Sequence, residues 1–159
     1  MPLESELKFR IAKRKLDGLA RLRIPGAQAG KPTRRRLVST YFDTPKQKLH
    51  RHRLTLRVRQ SGEQYRQTIK AASVASFARG ESETDIGDAR PDFRQIGKTP
   101  LAQLATKKTR RKIKPVFRTN VHRLTSPFDV GRSGIELAAD RGKLSAGRRS
   151  EPLPNANSN

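Results

Sequence analysis

The chain has no cysteine, only three histidines, and few carboxylates: 14 Asp and Glu stand against 36 Lys and Arg, a net charge of +22. Without cysteine there are no disulfides, thiolate metal sites or thiol nucleophiles, which fits a reducing compartment. His50, His52 and His122 lack metal-ligand spacing and read as ordinary polar residues. No apolar run approaches the roughly 20 residues of a membrane-spanning helix. Charge interrupts the opening Met-Pro-Leu-Glu-Ser-Glu-Leu-Lys at once, which is not the pattern of a signal peptide. The expectation is a soluble, cytoplasmic protein with no membrane partner.

What remains is a chain of 159 residues, a third of them hydrophobic, enough for one domain with a modest core. Its positive charge would attract nucleic acid, polyphosphate, nucleotides or anionic lipid. Taken alone, the charge favours a nucleic-acid-binding or ribosome-associated protein. The dense basic run at 107–114 is one place where nucleic acid or long polyphosphate could bind, although a solvated face explains it as well.

The apolar pattern is mostly of period two, hence mainly β. Leu3, Leu7, Phe9 and Ile11 alternate with Glu4, Glu6, Lys8 and Arg10 over 3–11. Further strands are expected at 37–42, 54–59, 65–70, 77–86, 116–124 and 133–140, with Lys143 beginning one more. Turns are expected at Asp43-Thr44-Pro45, Ser61-Gly62-Glu63 and Asp140-Arg141-Gly142. Leu16, Leu19 and Leu22 suggest a short helix over 12–22, weakened by Gly18, before a loop at 25–36. Residues 91–104 read as two helical pieces, with Thr99 as cap and Pro100 at the first helical position. One domain is expected over 1–151, followed by a disordered tail at 152–159.

A charged strand face is ordinarily just solvated, and that explains any one of these strands. It explains the set less well, because the charges segregate: Arg57 with Arg59, Glu4 with Glu6, Glu81 with Glu83. In a closed or nearly closed barrel one parity points inward and can line an anion site. A polyphosphate calls for this mixture. Arginines match phosphate oxygens in pairs, and carboxylates supply hard oxygen ligands for magnesium or manganese.

Several motifs then resemble, in order, those of one family. Glu4-Ser5-Glu6-Leu7-Lys8 resembles the Glu-x-Glu-x-Lys that opens CYTH domains, the triphosphate tunnel metalloenzymes. Tyr41-Phe42-Asp43-Thr44-Pro45, Leu56-Arg57-Val58-Arg59, Gln67-Thr68-Ile69-Lys70 and Arg79-Gly80-Glu81-Ser82-Glu83 resemble its next segments. Pro115-Val116-Phe117 with Arg123, and Ile135-Glu136-Leu137-Ala138-Ala139-Asp140-Arg141-Gly142, resemble its later strands.

The resemblance implies an α+β fold built on an antiparallel β-barrel tunnel of about eight strands with flanking helices. It implies metal-dependent hydrolysis of a triphosphate, closest to the bacterial inorganic triphosphatase branch, with thiamine triphosphatase or adenylate cyclase activity as alternatives on the same scaffold. By position, Lys8, Arg57, Arg59, Lys70 and Arg123 would hold phosphates. Glu4, Glu6, Asp140 and Glu136 would hold Mg2+ or Mn2+, and Arg79, Glu81 and Glu83 would support them. Tyr41 and Asp43 read as packing and turn residues. The family's final Glu-x-Glu-x-Glu strand does not follow Arg149-Ser150-Glu151-Pro152. The tunnel is therefore expected to be incomplete on that side, with impaired turnover, and a non-catalytic polyphosphate- or nucleic-acid-binding remnant is the competing expectation.

Overall fold

The computed structural model describes residues 6–72 and 80–153. Among these, β1 (Gln28–Ala29), β2 (Thr33–Asp43), β3 (Leu54–Ser61), β4 (Gln64–Ala71), β5 (Gly80–Ile86), β6 (Lys114–Val130), β7 (Ser133–Ala146) and β8 (Arg149–Pro152) form one sheet. The order is β5-β4-β3-β2-β6-β7-β8, with β1 also beside β6, and every pairing is antiparallel. The mainly antiparallel β fold of eight strands with few helices is as expected. Among the described residues the sheet does not close: β5 and β8 are its two edges.

Alternation decides what each face does. Leu54, Leu56 and Val58 of β3, Ile69 of β4 and Phe42 of β2 point to one face and are buried. The chain between β5 and β6 covers them, supplying Ile96, Leu101 and Ala105 to the same core, with Leu49 from the β2–β3 connection. Full burial of a side chain such as Leu56 or Leu101 stabilises by about 1.5–3 kcal/mol. Gln67, 1% exposed, clamps this cover to β4. Its Oε1 accepts from the Asp92 N–H at 2.9 Å, and its Nε2 donates to the Asp92 carbonyl at 3.2 Å. The opposite face, here the inner face, carries the charged parity.

Helices are short: α1 (Lys13–Leu16), α2 (Lys48–Arg51), α3 (Leu101–Leu104) and α4 (Lys107–Arg110), with 3-10 turns at Asp17–Arg21 and Phe93–Gln95. The helix expected over 12–22 tightens into its 3-10 turn at the segment holding Gly18, a poor helix former. Asp43 and Tyr41 are structural, as expected. The Asp43 carboxylate accepts N–H bonds from Thr44, Leu49 and His50 at 2.7, 2.9 and 3.0 Å, and so fixes the start of α2. Tyr41 stacks on Phe117 with ring centroids 4.3 Å apart. The basic run is partly packed: Arg110 lies over the Phe93 ring, and Thr109 is buried.

Four expectations are corrected. The described part of 3–11 is not a strand, because no neighbouring strand takes up its backbone groups, and Leu7 and Phe9 are 79% and 83% exposed. Asp140-Arg141-Gly142 is not a turn but the middle of β7, paired with Arg123, His122 and Val121. Gly142 is there for closeness: a Cβ would meet the Asn120 carbonyl oxygen and lie 2.9 Å from the Val121 Cα. The chain turns instead at Gly131, whose φ of +59° suits glycine, so β6 and β7 form one long hairpin. Thr99 does not cap α3 with its side chain; its carbonyl accepts from the Ala102 N–H at 3.0 Å, and its Oγ1 is buried without a partner. Pro152 is not in a tail but ends β8, opposite Lys143.

Candidate functional site

The registry across β5-β4-β3-β2-β6-β7 stacks the inner-face side chains into rows. One row reads Glu83, Thr68, Arg57, Tyr41, Phe117; the next reads Asp85, Arg66, Arg59, Ser39, Thr119. Further along, Arg35 lies beside Arg123, and Arg123 beside Asp140. This face carries a cleft of about 420 Å³ whose walls include Arg35, Arg57, Arg59, Arg66 and Arg123, with Glu83, Asp85 and Glu136 as its acids.

The arginines are held unequally. Arg57, with 11% of its side chain exposed, donates from Nη2 to Thr68 Oγ1 at 3.0 Å and lies 3.6 Å from Glu83. Thr68 in turn donates to Glu83 at 3.2 Å. The Nε of Arg57 is buried with no acceptor among the described residues. Arg59 donates from Nε to Ser39 Oγ at 3.2 Å. Burial, then the charges of Arg57 and Arg123, pull the Arg59 guanidinium below its ordinary pKa. Arg123 is held the other way: it donates to both oxygens of Asp140 at 2.7 Å. Those bonds raise it against the opposing effect of burial, and the charges of Asp140, Glu136 and Glu6 add to the rise.

Of the residues singled out from the sequence, the structure brings Arg57, Arg59, Arg123, Glu83 and Glu136 to one cleft. Asp140 spends both oxygens on Arg123. Lys70 and Glu81 pair at 3.1 Å on the same face of β4 and β5, outside the cleft wall. Lys8 is 81% exposed and lies 3.5 Å from Glu6 on the segment before α1. Glu4 and Arg79 lie outside the described residues. Sequence reasoning missed Arg35 and Arg66. Arg66 shares its parity with Thr68 and Lys70, which could have found it. Arg35 was hidden inside Arg34-Arg35-Arg36, a run that puts cations on both faces.

Among the described residues no three His, Asp or Glu side chains gather as a ready metal site. The charges of Asp140, Glu136 and Glu6 each act on Arg123. Magnesium is commonly held by one or two carboxylates together with substrate phosphates. Glu6 and Glu136 are hard oxygen donors of that kind.

The family model described as the CYTH domain matches residues 2–147. The chain belongs to the CYTH domain family. An inorganic triphosphatase of Haemophilus influenzae is 30% identical over 122 residues, covering 74% of this CYTH chain and 34% of that protein. The chain thus spans about a third of the length of that curated relative. A crystal structure of a Bacillus halodurans protein, provisionally assigned as an adenylate cyclase, superposes with a TM-score of 0.50 at 13% identity. The match covers 88% of this chain and 78% of that one, and at such identity it shows the fold. Among the described residues of this CYTH chain, no helix is long and apolar enough to cross a membrane.

Proposed function

We propose that this CYTH domain binds a triphosphate on its inner face and hydrolyses a phosphoanhydride bond, with Mg2+ or Mn2+ accompanying the substrate. The observation that carries the reading is Arg57: a buried guanidinium whose Nε has no acceptor, at the wall of an arginine-lined cleft. A buried unmet donor is costly unless a ligand meets it. A phosphate oxygen drawn to this guanidinium would supply that acceptor once the side chain turns toward it, and its charge would offset the repulsion from Arg57 and Arg123 that, after burial, lowers Arg59.

In such a reaction water attacks a terminal phosphorus, the bond to the bridging oxygen breaks, and negative charge grows on the departing and non-bridging oxygens. Preset cations lower that barrier without reorganising. Arg57, Arg59 and Arg123 are the groups for this work, with Arg35 and Arg66 at the cleft's ends. Glu6 and Glu136 would hold the metal ion, with Glu4 two residues before Glu6 in sequence. When bound, that ion would neutralise phosphate charge and lower the pKa of a water molecule.

Inorganic triphosphate is the substrate favoured here, because no feature of the cleft wall selects adenine or thiamine. The open sheet and the commitment of Asp140 to Arg123 favour a second reading, anion binding without turnover. Phosphate release from tripolyphosphate, ATP and thiamine triphosphate, each with and without Mg2+ or Mn2+, separates them. The expected result is metal-dependent release, fastest from tripolyphosphate. Tight tripolyphosphate binding with no release would leave the second reading. Absence of tripolyphosphate binding would overturn both.

A further inference from the structure

The inner face does not account for the protein's charge. There Arg57, Arg66, Lys70 and Arg123 each have a carboxylate within 3.8 Å. On the outer face of β2, β6 and β7 the balance differs. Arg36, His122 and Arg141 stand in one row across the three strands, directly opposite one another. Lys143 follows in the next row, beside Asn120, and Arg34 precedes, beside Leu124. Strands are about 4.8 Å apart, so the row is a ladder of basic groups at that interval.

These residues are not merely scattered on a surface. The segment of α1 and its 3-10 turn crosses this face, and between the two lies a second cleft of about 380 Å³. Leu16, Leu124 and Ala139 form its apolar part; Arg34, Arg36, His122 and Arg141 supply its basic wall; Arg35 and Arg123 also border it. Among the described residues Asp17 is the one carboxylate lining it, 3.9 Å from Arg141. Arg36 is steered by Asn120, whose Oδ1 accepts from its Nε at 3.0 Å. Arg34 and Lys143 have no ion pair among the described residues.

We infer that this outer cleft is a second anion site, separate from the inner one, and that it holds a stretch of long-chain inorganic polyphosphate. A basic channel that takes single-stranded nucleic acid combines its cations with aromatic rings on which bases stack. Among the described residues no Phe, Tyr or Trp lines this cleft, and its one ring, that of His122, stands inside the row between Arg36 and Arg141. Tyr41 and Phe117 lie on the inner face, and Phe128, on the outer face, is buried. A flexible polyanion without bases needs only the cation ladder. A long chain can engage the outer cleft at any point along its length, and so remain on the protein while its end reaches the inner face. A triphosphate is too short to do both.

The test measures binding of long-chain polyphosphate, of tripolyphosphate and of an RNA oligonucleotide of matched charge to the full chain over a range of salt. The Arg36→Ala/Arg141→Ala protein should bind long-chain polyphosphate roughly tenfold more weakly, and its slope of log affinity against log salt should flatten by about 1.4 for two lost contacts. Its tripolyphosphate affinity should not change. Because Arg36 also bonds Asn120, Arg34→Ala/Lys143→Ala serves as the second variant, with the same expected direction. Unchanged long-chain affinity and slope in both variants would overturn the site. So would an RNA oligonucleotide that binds more tightly than the polyphosphate and loses affinity in the same variants. Loss of tripolyphosphate binding in the parent chain would sink the inner-face reading and leave this comparison intact.

Discussion

Arg123 on β6 donates to both carboxylate oxygens of Asp140 on β7, at 2.7 Å each, and so one of the cleft's cations is already answered by an anion. A phosphate entering the cleft must compete with Asp140 or accept a partly neutralised Arg123. In metal-free buffer, Asp140→Asn should tighten tripolyphosphate binding by up to roughly fivefold, since the two side chains are about a third exposed and such pairs contribute about 1 kcal/mol or less. With Mg2+ present the same variant should release phosphate more slowly, if Asp140 also serves the ion. Calorimetry and phosphate release check the two arms. Weaker metal-free binding would mean that Asp140's main part is to hold Arg123 in place.

Arg57 should be the most costly cation to remove. Its buried side chain already bonds Thr68 and faces Glu83, so its position is fixed before the ligand arrives. A charge-assisted contact contributes about 1.5–3 kcal/mol, which corresponds to a loss of roughly 10- to 150-fold in affinity for Arg57→Ala. Arg57→Lys keeps a charge but not the Nε donor, and should recover only part of that loss. Tripolyphosphate titration of both variants decides it. Equal affinity of all three proteins would remove Arg57 from the site.

Acid should uncouple the edge of the sheet. The Arg66 hydrogen bond, then its charge, holds the Asp85 carboxyl below its ordinary pKa. A lowered value in the folded state means that the ionised form is the one folding favours. The stability from this pair is therefore present above the ordinary carboxylate pKa and lost as pH falls through the lowered value. Asp85→Asn should melt slightly below the parent at neutral pH, and the difference should vanish in strong acid. A difference that persists unchanged in acid would show that the pair's charge contributes nothing.

Much of this architecture could be read from period-two alternation, because a strand with one covered face must alternate. Leu54, Leu56 and Val58 against Arg57 and Arg59 located both the core side and the cleft side of β3. Tyr41 and Asp43 were read as packing and turn residues, and Tyr41 stacks on Phe117 while Asp43 bonds the start of α2. Three things were not legible. Alternation at Leu7 and Phe9 has the sequence of a strand, but a strand also needs a neighbour, and nothing local encodes that. Asp140-Arg141-Gly142 has turn composition, yet Gly142 serves the close approach of β6, a contact between distant residues. Arg34-Arg35-Arg36 read as the end of a loop, whereas the pleat of β2 places Arg35 on the inner face and Arg34 and Arg36 on the outer one.

The final prediction concerns Asp43, where a motif residue could be mistaken for a site residue. Its Oδ1 takes the Thr44 and Leu49 N–H groups and its Oδ2 the His50 N–H. Asp43 is 8% exposed, its carboxylate is bonded to backbone N–H groups of α2, and it does not line the inner-face cleft. In Asp43→Ala all three donors lose their acceptor, two of them in buried bonds, and the expected cost is about 3–5 kcal/mol. Asp43→Asn keeps an oxygen for Thr44 and Leu49 but turns an amide N–H toward the His50 N–H, at a cost of roughly 1.5–3 kcal/mol. Urea unfolding should rank the proteins parent, Asn, Ala in falling stability. Tripolyphosphate affinity, measured where each is fully folded, should be the same for all three, because no atom of Asp43 borders the cleft. An Asp43→Asn protein of parental stability that no longer binds tripolyphosphate would move Asp43 from the scaffold into the site.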